Sequence, residues 1–265
     1  MFGLEGFLAY SYGDATSLVD GSSSQNSSQW RGNYNVAGRN TPFAGRSEFA
    51  PGGRLIAALI FTCIWNKKKN ISTQVTLFYE GRAGLPYSYV YGGSQARNIN
   101  QETGNTTNNR SLIWIPASAS EINLIDTDEL TAEEQWLLLD LFIEQDEYLS
   151  ENRGSYAEKN AARTPFFSQF DLRFSQSFGI KSGRKTNCLE ISLDIFNFAN
   201  LLNAEWGLVY DNPFADRLIN FVGYEADGTT PQFTFTDVRI GEERFQINDL
   251  TSRWRGRFGV RYTFN

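Results

Sequence analysis

The sequence predicts an all-β protein in which about six antiparallel strands form part of an up-and-down transmembrane β-barrel. Five segments alternate apolar and polar residues with a period of two, which places the two kinds of side chain on opposite strand faces, and a sixth is apolar almost throughout. The connections alternate between short turns and long loops, which is typical of barrels that cross outer membranes. We therefore expect a fragment of a larger barrel, with long extracellular loops of which one contains a short helix.

The first three predicted strands lie at about residues 2–13, 53–65 and 71–83. In the first strand five large apolar residues have even numbers: Phe2, Leu4, Leu8, Tyr10 and Tyr12. In the third they have odd numbers, and Phe78 is the exception on the polar side: Ile71, Val75, Leu77 and Tyr79. The second segment is apolar on both parities apart from Thr62, so by itself it fits either a buried strand or a piece of helix.

A helix is predicted in the middle connection, at about residues 132–149. Thr131 and Glu134 have the spacing of a capping box. The helix is rich in apolar residues for a solvated loop: Trp136, Leu137, Leu139, Leu141, Phe142 and Ile143. We expect these side chains to pack against neighbouring loop residues such as 112–116 and form a lid, and the alternative is a surface for a protein partner.

The fourth and fifth predicted strands, at about 166–181 and 187–199, form a hairpin. Each strand carries a set of apolar residues on one parity: Phe170, Leu172, Phe174, Phe178 and Ile180 in the first, and Leu189, Ile191, Leu193 and Ile195 in the second. Gln176 is the one polar residue on the apolar parity. A turn at 182–186 gives a register in which paired numbers sum to about 367, which places Arg173 opposite Asp194 and Ser177 opposite Glu190.

The last predicted strand, at about 252–264, has the clearest alternation. Its apolar parity carries Trp254, Gly256, Phe258, Val260, Tyr262 and Phe264. Its polar parity carries Arg253, Arg255, Arg257, Arg261 and Thr263. Four arginines are more than an ordinary solvated face requires, so we expect lipid on one side of the strand and water on the other.

The connections place the termini relative to a membrane. Residues 66–70 and 182–186 form short turns, whereas 14–52, 84–165 and 201–251 are long. Short turns are periplasmic and long loops extracellular in outer-membrane barrels, so the C-terminus is expected on the periplasmic side. No export signal precedes the first strand, which predicts either a soluble protein or the tail of a longer precursor, and the loop pattern favours the precursor.

Composition excludes several classes of protein. The longest apolar run, residues 55–65, is too short for a transmembrane helix. The chain has no histidine, which removes His-based catalytic triads and His–metal sites, and we expect no enzyme, no cofactor and no metal. The net charge of −6 argues against nucleic-acid binding. Cys63 and Cys188 lie on strands that are not expected to be neighbours, so no disulfide is expected.

Charged residues on the polar parities are the candidate lumen-facing site: Arg253, Arg255, Arg257, Arg261, Glu190, Asp194, Arg173, Asp171, Glu80 and Arg82. Four aromatic residues of the last strand are the candidate lipid-facing girdle: Trp254, Phe258, Tyr262 and Phe264. Two interpretations of the charges stay open. Either they hydrate the lumen and pair with one another or with a plug domain, or the arginines form a basic ladder that steers an anionic substrate.

Four segments carry a family resemblance: TPF at 164–166, FDLR at 170–173, LDIFNFANLLN at 193–203 and WG at 206–207. They resemble the C-terminal barrel of TonB-dependent outer-membrane receptors, in particular the Oar-like subgroup. SQWR at 28–31, LIWIP at 112–116 and ADGTTP at 226–231 are similar to loop motifs of the same group. Family barrels commonly end on an aromatic residue, whereas here Phe264 is followed by Asn265.

The resemblance implies a barrel of twenty-two strands in the outer membrane of a Gram-negative cell, of which this chain holds about the last six. It also implies partners: outer-membrane lipid, the rest of the barrel with its plug domain, the TonB system through N-terminal parts, and a ligand of unknown identity. The implied function is TonB-dependent uptake. Two rivals are a secreted or surface β-protein that binds glycan or protein through its loops, and a passive porin.

We expect the isolated 265-residue chain to form no pore, because six strands are too few to close a barrel and both edges would be unpaired. Conductance recordings in planar bilayers check this. Stable single-channel currents from the chain alone would contradict it.

Overall fold

The computed structural model describes residues 1–21, 23–41, 43–96, 99–100, 110–182, 185–211, 213, 215–235 and 245–264. The strands within these residues are β1 (Phe2–Gly13), β2 (Thr16–Ser17), β3 (Gly45–Arg46), β4 (Gly52–Asn66), β5 (Ile71–Arg82), β6 (Pro86–Gly92), β7 (Trp114–Ile115), β8 (Ser155–Tyr156), β9 (Ala162–Arg163), β10 (Phe167–Ser182), β11 (Lys185–Phe196), β12 (Ala215–Tyr224), β13 (Pro231–Thr234) and β14 (Arg255–Thr263). The helices are α1 (Asn26–Arg31), α2 (Ala132–Gln145), α3 (Glu147–Glu151), α4 (Phe198–Leu202) and α5 (Asp249–Ser252), with 3₁₀ turns at Lys67–Lys69 and Ala119–Glu121.

Six long strands form one antiparallel sheet in the order β1-β4-β5-β10-β11-β14. Each of the six predicted segments contributes one strand, and neighbours in the sheet are consecutive among the six, so the sheet is an up-and-down meander. The sheet is open: within the described residues no pairing joins β1 to β14, and these residues form no closed barrel. The two edges of the sheet therefore remain free for pairing.

The register of the sheet keeps all apolar parities on one face. Arg173 lies opposite Asp194 and Ser177 opposite Glu190, which confirms the predicted register. The same face continues across the sheet through successive apolar pairs: Leu4 with Phe61, Leu59 with Leu77, Leu77 with Leu172, Leu172 with Ile195 and Ile191 with Val260. We call this side the apolar face and the opposite side the polar face.

Two strand boundaries differ from the predictions of 187–199 and 252–264. Strand β11 ends at Phe196 because Asn197 adopts a left-handed backbone with φ 53°, which turns the chain into α4. Strand β14 begins only at Arg255 because the preceding residues form α5, which Asn248 caps by accepting a hydrogen bond from the amide of Thr251.

The three long connections fold together into a unit that we call the cap, made of the described parts of residues 14–51, 83–166 and 197–254. These connections contain more regular structure than the prediction of long loops with one short helix. The cap contains eight short strands, among them a four-stranded sheet in the order β13-β12-β6-β9, and all five helices. Sequence patterns missed this sheet because β6 and β12 pair in parallel from segments far apart in the chain.

The buried core of the chain lies in the cap. Its members are mostly aromatic and branched aliphatic residues: Tyr34, Tyr87, Tyr89, Val90, Tyr91, Leu112, Ile113, Ile115, Leu139, Phe142, Ile143, Leu149, Ala157, Ala162, Leu218, Ile219, Phe221, Phe233, Phe235 and Phe245. In contrast, the buried apolar side chains that the six-stranded sheet contributes among the described residues are small, those of Ala58 and Cys63. The large sheet therefore has no core of its own within this part of the chain.

The predicted helix is present but divided. Thr131 and Glu134 form the reciprocal capping box that starts α2, and Asp146 ends it and caps α3 through the amide of Leu149. Leu139, Phe142 and Ile143 share the core with residues 112, 113 and 115, as the lid prediction requires. Leu137 and Leu141 point outward instead.

Two further findings concern the membrane and the cysteines. None of the described helices is both long and apolar enough to cross a membrane. Cys63 and Cys188 are free thiols on β4 and β11, which are separated in the sheet by β5 and β10, as expected from the sequence.

The cap core predicts a difference between two leucines of α2. Leu139 is 0% exposed and Leu137 is 63% exposed. Leu139→Ala should lower the free energy of unfolding by about 2–5 kcal/mol, since it leaves a cavity in a packed core. Leu137→Ala should change it by less than about 0.5 kcal/mol. Chemical denaturation measures both, and equal losses would mean that the cap core is not formed as described.

Candidate functional site

Four charged side chains from three adjacent strands meet on the polar face. Strand β10 supplies Arg173, β11 supplies Glu190 and Asp194, and β14 supplies Arg257. These four side chains lie on the same side of the sheet because their residue numbers fall on the polar parity of each strand. Arg173 lies 3.1 Å from Glu190 and 3.0 Å from Asp194, and Arg257 lies 2.9 Å from Asp194. The two signs balance, so this network is electrically neutral.

Asp194 is the centre of the network. Its side chain is only 9% exposed, and it accepts hydrogen bonds from Nη1 of Arg173 and from Nε and Nη2 of Arg257. Charge-assisted hydrogen bonds to a nearly buried carboxylate are stronger than those of exposed pairs. Asp194 therefore ties β10 and β14 to the strand between them.

The arginine row of the last strand is shorter than predicted. Arg253 lies before β14 and pairs with Asp249 of α5 at 3.0 Å, so its placement on the strand was wrong. Arg255 and Arg261 are exposed on β14, and within the described residues no carboxylate lies within ion-pair distance of either. A basic ladder would therefore rest on Arg255 and Arg261, because Arg257 is neutralised by Asp194.

The other candidates occupy separate places on the polar face. Glu80 pairs with Arg54 across β4 and β5 at 2.9 Å. Arg82 packs its guanidinium over the ring of Phe167, 4.5 Å from the centroid. Neither joins the Asp194 network, so the predicted set does not form one site.

Asp171 has a structural role at the cap end of the sheet. Its Oδ1 accepts hydrogen bonds from Nε2 of Gln169 at 2.7 Å and from the amide of Asn197 at 2.8 Å. Asn197 in turn donates to the carbonyls of Gly207 and Ser252. This cluster holds the strand ends against the cap.

The four girdle residues lie on the apolar parity of β14 or just beyond its ends. Phe258 lies mid-strand and is exposed, Tyr262 packs edge-on against Phe264 with centroids 4.7 Å apart, and Trp254 lies just before the strand. The hydroxyl of Tyr262 accepts a hydrogen bond from Asn187. Aromatic rings with polar tips at strand ends suit a boundary between apolar and aqueous surroundings.

Sequence reasoning missed a second polar cluster on the apolar face, at the short-turn end. The indole of Trp65 donates to Oγ1 of Thr73 at 2.7 Å, and that hydroxyl donates to Oε1 of Gln176 at 2.6 Å. Gln176 lies directly opposite Thr73, so the polar exception on this parity has its partner in the neighbouring strand. The signal was the coincidence of two polar residues on an otherwise apolar parity.

The apolar face is uncovered. Its exposed large side chains come from every strand of the six-stranded sheet except β5: Phe2, Leu4, Leu8, Tyr10, Tyr12, Leu59, Phe61, Trp65, Phe174, Phe178, Ile180, Leu193, Phe258, Val260 and Tyr262. Comparison with protein-family models, with curated proteins and with solved structures finds no match to this chain. The family resemblance therefore stays a prediction.

The described residues offer no arrangement for a metal. No three His, Cys, Asp or Glu side chains among them are grouped so that they could hold an ion. The chemistry available on the polar face is electrostatic: hydration, ion pairing and attraction of anions by Arg255 and Arg261.

Asp194→Asn should lower the free energy of unfolding by about 1–3 kcal/mol, because it leaves Arg173 and Arg257 without their shared carboxylate. The matched control is Asp249→Asn, which breaks an exposed pair with Arg253 and should cost less than about 0.5 kcal/mol. Denaturant titration of both variants tests this. If the two losses were equal, the network would contribute no more than a surface pair.

Proposed function

We propose that the chain is part of an outer-membrane receptor that takes up a ligand in a TonB-dependent manner, as a transport component and not a catalyst. The observation that carries the proposal is the uncovered apolar face. Leu4, Leu8 and Phe258 are 71%, 72% and 70% exposed, although the chain buries a large core elsewhere. Burying such a side chain is worth about 1.5–3 kcal/mol, so a soluble protein would be expected to cover it. In a membrane, lipid covers this face, so its apolar side chains are not exposed to water.

The ends of the sheet support an outer-membrane orientation. The cap lies where strands β1, β5 and β11 end, and the 3₁₀ turn Lys67–Lys69 lies at the opposite end. Outer-membrane barrels place short turns in the periplasm and large connections outside. The cap would then face the exterior, and the C-terminus would lie on the periplasmic side.

The open edges define the partners that the proposal requires. Strands β1 and β14 run in opposite directions at the two edges, so further antiparallel strands fit between them. In lipid those edge groups need hydrogen-bond partners, which the rest of a larger barrel of twenty-two strands would supply. A plug domain would meet the polar face, and parts outside this chain would engage the TonB system.

A second candidate function is a secreted or surface β-protein that binds glycan or protein through the cap. The observation that favours it is the complete aromatic core of the cap, which does not include the six-stranded sheet. A passive porin is a third candidate, and it differs from a TonB-dependent receptor because it lacks a plug domain. Heat-modifiable gel mobility in detergent extracts would support the barrel, whereas monodisperse behaviour without detergent would support the soluble protein.

Site-directed labelling tests the proposal. In a variant with Cys63 and Cys188 replaced by Ala, single cysteines are placed by Phe258→Cys and Val260→Cys on the apolar face. A bilayer-restricted thiol reagent should label both positions in outer-membrane preparations, because the proposal places them in hydrocarbon.

The matched controls are Arg255→Cys and Arg257→Cys, one to five residues away on the polar face of the same strand. They should react with a water-soluble reagent instead. Labelling of the arginine positions by the bilayer reagent, with Phe258 and Val260 positions spared, would reverse the two faces and overturn the proposal.

A further inference from the structure

A small polar pocket lies in the cap, beside α1. It has a volume of about 230 Å³ and is lined by Asp20, Tyr34, Glu48, Arg110 and Lys159, with Leu18 and Val19 among its other residues. Pockets for drug-sized ligands span roughly 300–1,000 Å³, so this one suits a smaller molecule. Its lining carries charges of both signs, which restricts the chemistry of an occupant.

Two of the charged side chains that line the pocket, Lys159 and Asp20, have their partners within the protein. Lys159 and Asp20 form a buried ion pair of 2.7 Å. Nζ of Lys159 also donates to the carbonyl and the hydroxyl of Ser17, which uses all three of its protons. Asp20 also accepts from the hydroxyl of Ser17 and the amide of Glu48. Burial alone raises the pKa of Asp20, but hydrogen bonds from Lys159, Ser17 and Ser47 outweigh it and hold the pKa below the ordinary value of an aspartate.

The two remaining charges are available to a ligand. Within the described residues, the carboxylate of Glu48 and the guanidinium of Arg110 have no ion-pair partner, and they do not pair with each other. The guanidinium carbon of Arg110 lies over the ring of Tyr34, 4.9 Å from its centroid, in a cation–π contact. A carboxylate and a guanidinium that share one small pocket present complementary sites for an ammonium and a carboxylate.

We infer that this pocket binds a small zwitterion, a free amino acid or a dipeptide, with its carboxylate on Arg110 and its ammonium on Glu48. Leu18 and Val19 are exposed at the pocket and offer apolar surface to the side chain of such a ligand. A simple anion would leave Glu48 unpaired, and a cation would leave Arg110 unpaired, so neither uses both charges. The inference goes beyond the proposed function, since it does not require the chain to span a membrane.

Calorimetric titration of the full chain with L-leucine and with L-alanyl-L-alanine tests the inference and distinguishes the two sizes of ligand. At least one should bind. N-acetyl-L-leucine lacks the ammonium and L-leucinamide lacks the carboxylate. If the amino acid is the ligand, each of these should bind about 10- to 100-fold more weakly than L-leucine. If the dipeptide is the ligand, the correspondingly capped dipeptides should show the same loss relative to L-alanyl-L-alanine. The inference would be overturned if neither zwitterion bound at millimolar concentration, or if the capped compounds bound as tightly as the zwitterion that binds.

Two substitutions assign the charges. Glu48→Gln and Arg110→Gln should each weaken binding of the zwitterion about 10- to 100-fold. The Arg110→Gln variant should bind L-leucinamide as tightly as the unaltered chain does, because this compound has no carboxylate to contact the guanidinium. Equal binding of L-leucinamide also shows that the variant is folded. The controls Glu129→Gln and Lys67→Gln remove the same charges from exposed positions outside the pocket and should leave affinity unchanged. Losses in the controls equal to those in the pocket variants would show that net charge, not the pocket, governs binding.

Discussion

Strand register is the constraint on which the other features of the large sheet depend. Side chains alternate with a period of two, so a slip of one residue between any two strands would move every apolar side chain of one strand to the opposite face. The pairings Leu172 with Ile195 and Leu193 with Phe258 keep the apolar parities together. The same register brings Arg173 and Arg257 to Asp194 from opposite sides. The uncovered apolar face and the neutral charge network therefore have one cause.

The chain uses two kinds of stabilisation in its two parts. The large sheet is held by its backbone ladders and by cross-strand pairs, and within the described residues its faces have no covering layer. The cap instead buries aromatic rings such as Tyr87, Tyr89 and Phe221 around a small mixed sheet. Its connections are joined by polar contacts as well: Arg163 donates to the carbonyls of Gly84 and Ala50, and Lys159 reaches Asp20 and Ser17. Such a cap can hold a shaped pocket, which separate solvated loops could not.

Local patterns were good predictors where the deciding partner lies nearby in sequence. The capping box of Thr131 and Glu134 needs only a spacing of three residues, and it is formed as predicted. The hairpin of β10 and β11 is closed by a short turn, so its length determines the register of Arg173 and Asp194. Patterns failed where partners are distant. β6 is buried on both faces and pairs with β12 in parallel, so neither an alternation of apolar and polar residues nor the length of a turn predicts it. The pocket likewise combines Glu48, Arg110 and Lys159 from widely separated positions.

By itself, the sequence determined that six strands form, which parity of each is apolar, and where the helix of the middle connection begins, because these properties follow from residue spacing over a few positions. The tertiary structure decided where the core lies, that the three connections fold as one cap, and which charges are paired. Asn197 illustrates the difference: its left-handed backbone ends β11, and it is held there by contacts with Asp171, Gly207 and Ser252. Those contacts join residues up to 55 positions apart, a distance over which local propensity carries no information.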